Sequence, residues 1–76
     1  MEKNIANILL FKTNINTAGD KHILQPTLDR HPQIVQWQVD LEDEDHVLRI
    51  ISPTLTHDTV IDMVKLNGYH CEELKD

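Results

Sequence analysis

Ile34-Val35-Gln36-Trp37-Gln38-Val39-Asp40-Leu41, then Glu42-Asp43-Glu44-Asp45, then His46-Val47-Leu48-Arg49-Ile50-Ile51: this stretch decides the fold. In the first run Val35, Trp37, Val39 and Leu41 fall on one face and Gln36, Gln38 and Asp40 on the other, the period-two alternation of a half-buried strand. His46 to Ile51 is a second β-rich run. The consecutive carboxylates between them cannot be buried without partners, so they form a solvated turn and the two runs make an antiparallel hairpin.

Upstream, Met1 to Asn4 is a polar lead-in and Ile5 to Thr13 reads as a first strand. Leu9, Phe11 and Thr13 face one way, Ile8, Leu10 and Lys12 the other, a mixed pattern that suits a central strand. Asn14 to Asp20 is rich in turn and cap formers. Thr17 is the expected N-cap, and Asp20, three residues on, lies in the positive end of the helix. That helix carries Ile23, Leu24, Thr27 and Leu28 at helical spacing and stops at His31-Pro32. Pro26 falls inside it without an N–H and with its ring against the carbonyl of His22. A straight helix would lose roughly 3 kcal/mol there, which predicts a kink or two shorter pieces.

Downstream, Ser52 to Leu55 is a loop, and Thr56 caps a second helix with Asp58 in its first turn. Val60, Ile61, Met63 and Val64 form its apolar stripe, and Asn67-Gly68 ends it. Tyr69 to Leu74 is a short last strand whose Glu72 and Glu73 suit a sheet edge. The order β-α-β-β-α-β predicts an α+β fold of the ferredoxin-like kind, a four-stranded antiparallel sheet with both helices on one face.

The 76 residues read as one domain (1–76) with a small aliphatic core, since 39% are hydrophobic but only one Trp, one Tyr and one Phe are present. Thirteen Asp and Glu against seven scattered Lys and Arg give a net charge of -6, which argues against nucleic acid and against anionic membrane surfaces. Ile5 to Phe11 is too short, and too interrupted by Asn7, to be a membrane span or signal peptide, so the expected compartment is the cytoplasm. The single cysteine, Cys71, allows no internal disulfide. With two glycines there is no phosphate-binding loop, and Ser52 stands alone beside Pro53, so no enzyme is expected.

Leu24 and Leu28 on the first helix, Ile34 to Glu42 in place of a valine-rich second strand, the third-strand run ending at Ile51, and Val60-Ile61-Asp62-Met63-Val64-Lys65-Leu66-Asn67-Gly68-Tyr69 span nearly the whole chain. Together they resemble the heavy-metal-associated domain, the fold of small copper chaperones and of metal-ATPase N-terminal modules. The resemblance implies a Met-x-Cys-x-x-Cys loop at the start of the first helix, where two thiolates bind soft Cu(I). That motif falls here on Ile15-Asn16-Thr17-Ala18-Gly19-Asp20. Ile15 suits the methionine position, but both cysteine positions are filled by hard donors, Thr17 and Asp20. The resemblance therefore implies the fold with a degenerate metal site.

Other ligands are weaker candidates. The five histidines sit on the first helix (His22), after it (His31), at the start of the third strand (His46), at the start of the second helix (His57) and in the last strand (His70), with no recognised zinc spacing. His70 and Cys71 form the one soft pair, yet neighbours on a strand point to opposite faces, and Cys71 reads as a half-buried structural residue. Asp20 with His22 would hold a hard cation only weakly, and the acidic turn lacks the ligand order of a calcium loop. Two functions follow. The first is a non-catalytic protein-interaction or regulatory module without a cofactor; the alternative is a divergent metal-binding or metal-transport accessory using histidines or Cys71. The expected working surface is the sheet face away from the helices, where Ile8, Leu10, Val47 and Ile51 point outward around Arg49 to meet a protein partner or a second copy.

Overall fold

A computed structural model describes residues 7–75. The elements are β1 (Asn7–Thr13), α1 (Ala18–Asp29), β2 (Gln36–Val39), β3 (Leu48–Ser52), α2 (His57–Leu66) and β4 (Cys71–Glu73). The strands form one sheet in the order β2-β3-β1-β4, with every neighbouring pair antiparallel. This is the ferredoxin-like α+β arrangement, with β1 and β3 in the centre. Of the first strand as read from sequence, Ile5 and Ala6 lie outside the described residues.

Period-two alternation decides which face is committed. Leu9 and Phe11 on β1 and Leu48 and Ile50 on β3 are buried, and they stand opposite one another as Leu9–Ile50 and Phe11–Leu48. Leu24 and Leu28 of α1 and Val60 and Val64 of α2 join the same cluster, so both helices cover that one face. Ile15, Val39, Leu55 and Cys71 complete it. Trp37 packs at its margin, and its indole N–H donates to Asp29 Oδ1 at 2.7 Å, fastening the hairpin to the end of α1.

The acidic turn satisfies its own backbone. Asp40 Oδ1 accepts from the Glu42 N–H at 3.0 Å and Asp43 Oδ1 from the Asp45 N–H at 2.8 Å, the local bonding that makes aspartate a turn former. Thr13 closes the turn against β1 by donating its hydroxyl to the His46 carbonyl at 2.6 Å.

Several expectations are corrected. α1 is one continuous helix through Pro26. Both Pro26 and His22 are exposed, so the interrupted turn lies on the solvent side of α1. Ile23 does not belong to the buried stripe and is 55% exposed. Val35 leaves the alternation: its N–H donates to the Ile51 carbonyl, although Gln36 is the residue paired with Ile51. Two residues thus oppose one, a bulge that leaves Val35 exposed. His46 lies in the turn with φ +45, two residues before β3. The last strand is shorter than Tyr69 to Leu74, and His70 precedes it.

The two faces of β3 should respond differently to truncation. Ile50→Ala, at a fully buried site, should cost about 2–5 kcal/mol in urea unfolding. Ile51→Ala, on the other face and partly exposed, should cost under about 1 kcal/mol. Equal losses would contradict this assignment of faces.

Candidate functional site

The loop between β1 and α1 is planted in the core by Ile15, which is fully buried. Thr17 then caps α1 in extended conformation, and its Oγ1 accepts the Asp20 N–H at 3.0 Å. Asp20 reciprocates, its Oδ2 accepting the N–H groups of Thr17 and Asn16, each at 3.1 Å. This is a capping box with aspartate in the third helical position.

The other oxygen of Asp20 reaches much further along the chain. Its Oδ1 accepts the Tyr69 hydroxyl proton at 2.8 Å. Tyr69 is aimed there by the end of α2: Gly68 adopts φ +92, its N–H donates to the Lys65 carbonyl at 2.9 Å, and the Tyr69 N–H returns to Val64 at 3.4 Å. That pair of reversing bonds is a helix end for which glycine is the inexpensive residue. Alongside, the His70 N–H donates to Asn14 Oδ1 at 2.8 Å, so the two loops are held together twice. The Tyr69 hydroxyl first, then the backbone N–H groups, hold the Asp20 carboxyl below the ordinary aspartate range. Desolvation, with the facing carboxylate, pushes the Tyr69 phenol up.

Thr17 and Asp20 are thus together, as their spacing implies, and both are engaged. Tyr69 is the member that sequence reasoning missed. In the sequence Gly68 reads as a helix stop and Tyr69 as the start of the last strand, and nothing local says that the ring turns back to α1. Cys71 is only 5% exposed, and burial pushes its thiol up to about 11, so at neutral pH it is a protonated thiol rather than a soft thiolate ligand. His70 is exposed while Cys71 is buried, and His22 is exposed on α1. Among the described residues no three His, Cys, Asp or Glu side chains gather as a metal-ligand set.

On the uncovered sheet face Ile8 stands opposite Ile51, and Leu10 opposite Arg49. Ile8 is 60% exposed, Arg49 is exposed, and Leu10, Val47 and Ile51 are partly buried. Near the acidic turn the face dips into a hollow of about 300 Å³ lined by Leu10, Gln38, Asp40, Val47, Arg49 and Leu74, among others.

A solved structure titled as the apo form of the HMA domain of copper chaperone for superoxide dismutase superposes on this geometry with a TM-score of 0.75. The chain has a heavy-metal-associated fold. The superposition covers 99% of this chain and 76% of the other at 16% sequence identity. No family model matches the sequence, and no curated protein does. Among the described residues no helix is long and apolar enough to cross a membrane.

Because the folded Asp20 carboxyl has the lower pKa, its ionised form stabilises the fold above the unfolded pKa. That contribution disappears as pH falls from about 4 through the folded value. Asp20→Asn should therefore be less stable than the wild type at pH 7, and the difference in urea midpoint should shrink below about pH 4. A difference that stays constant from pH 7 to pH 3 would contradict the role given to this carboxylate.

Proposed function

We propose that this chain is a non-catalytic interaction module that uses a heavy-metal-associated fold without a Cu(I)-thiolate site, and that it engages a protein partner through its open sheet face in the cytoplasm. The observation that carries the first half is the state of Asp20. Both its oxygens are occupied, one by two backbone N–H groups and one by Tyr69, and Thr17 Oγ1 is occupied by the Asp20 N–H. The places that the family gives to two thiolates hold a hard-donor knot that stabilises the loop itself. Cu(I) prefers soft sulfur, and the hard oxygens here already accept protein donors. A metal-accessory role through Cys71 would need a thiolate, and burial pushes that thiol up to about 11; His22 and His70 are exposed, and among the described residues no three ligand side chains gather around either.

The second half rests on the sheet. Among the described residues no element packs over Ile8, Leu10, Val47 and Ile51, and Arg49 stands exposed among them. Arg49 among these aliphatic side chains, with Asp40 and Asp43 lining the same hollow, suits a partner that presents an apolar patch carrying polar groups of both signs.

Leu10→Lys combined with Val47→Glu should abolish capture of a saturable partner from cell extract by the immobilised chain, with helical circular dichroism unchanged. Equal capture by the folded double variant would overturn the choice of this face.

A further inference from the structure

The two edges of the sheet are defended differently. β4 is three residues long and exposes Glu72 and Glu73, with Lys75 just beyond, the short charged edge that resists pairing with other strands. β2, Gln36-Trp37-Gln38-Val39, has no charge and no proline. Its ladder parity follows from one bond: the Asp40 N–H donates to the Val47 carbonyl at 2.9 Å, so Gln36, Gln38 and Asp40 turn their main-chain groups toward β3. Trp37 and Val39 turn theirs to the open side.

We infer that this edge pairs with the β2 edge of a second copy, antiparallel about a twofold axis at Gln38. Trp37 then stands opposite Val39 of the other copy and exchanges both main-chain hydrogen bonds with it, and the axis repeats that exchange. Gln36 stands opposite Asp40 of the other copy, so an amide donor meets a carboxylate and the two Asp40 side chains are kept apart. Gln38 faces itself. Moving the axis two residues toward Val35 would require the Val35 N–H, which Ile51 already holds. Moving it the other way would enlist Leu41, which lies beyond the end of the strand.

The flanking charges agree with this register. Continuing past the paired residues, the turn Glu42 to Asp45 of one copy runs toward the segment before Ile34 of the other, where exposed Arg30 and partly buried His31 lie. The Arg30 cation there faces the carboxylates of the turn, with Asp29 beside it bonded to the Trp37 indole. The interface is isologous and closes on itself. It joins two open faces into one continuous sheet, with Gln38, which also lines the hollow of that face, at the seam.

The test is sedimentation of the full chain from micromolar to millimolar concentration, together with cross-linking. The wild type should show a concentration-dependent dimer, and Gln38→Lys, which sets two ammonium groups against each other at the axis, should weaken it by about tenfold or more with circular dichroism unchanged. Facing residues of a non-hydrogen-bonded pair are close enough for a disulfide, so Gln38→Cys should form a reducible dimer under mild oxidation and Gln36→Cys should not. Cys71, being buried, stays out of the reaction. A wild type that remains monomeric at millimolar concentration would overturn the proposal. So would equal cross-linking at positions 36 and 38, or a dimer abolished by Leu10→Lys with Val47→Glu but untouched by Gln38→Lys.

Discussion

A single carboxylate joins the start of the first helix to the far end of the chain. Asp20 caps α1 through Oδ2 and receives Tyr69 through Oδ1, residues 49 positions apart in sequence. The local half of this arrangement is ordinary helix capping. The long-range half closes the route from the end of α2 into β4, and it depends on Gly68 for its direction because a side chain at φ +92 would be strained. Placing a carboxylate at this point is physically consistent with a helix N-terminus, whose unpaired N–H groups attract negative charge. The same positive end would favour thiolates in a metal-binding relative; here the anion is built into the side chain and neutralised by protein donors.

The rest of the fold divides cleanly between a committed and an uncommitted surface. One sheet face is closed by Leu24, Leu28, Val60 and Val64 over Leu9, Phe11, Leu48 and Ile50. Small domains gain most of their stability from such a cluster because they have so little interior. Its two buried hydroxyls are satisfied: Thr13 donates to the His46 carbonyl, and Ser52 Oγ accepts the N–H groups of Thr54 and Leu55, whereas His46 Nδ1 is buried without a partner. The opposite face makes no comparable contribution to stability, which leaves it free to be used for recognition. The β2 edge is likewise uncommitted, and it borders the open face at Gln38.

Much of this was legible in the chain because the signals are local. The alternation around Trp37, the carboxylate turn, the Thr17 and Thr56 caps and the Gly68 stop each depend on neighbours within a few residues, and together they order the elements. What was not legible arises from context. Pro26 falls on the exposed side of α1, which depends on how α1 lies on the sheet. Val35 leaves its face because of a bulge against Ile51, a partner across the ladder. Tyr69 reaches Asp20 only once the whole sheet is assembled. The degenerate loop itself could be seen as two missing cysteines, but not as a closed set of bonds, since one of its members comes from the opposite end of the sequence.

The central claim is that the loop at Thr17 and Asp20 has exchanged metal binding for structure. Its most direct test is a competition titration of the reduced chain with Cu(I) against a chromophoric chelator, run beside a Thr17→Cys, Asp20→Cys variant. The account predicts that the wild-type chain leaves the chelator saturated, whereas the variant, presenting two thiolates on the same backbone, withdraws one Cu(I) per chain. Stoichiometric withdrawal by the wild type would contradict it, as would a folded double variant that binds none.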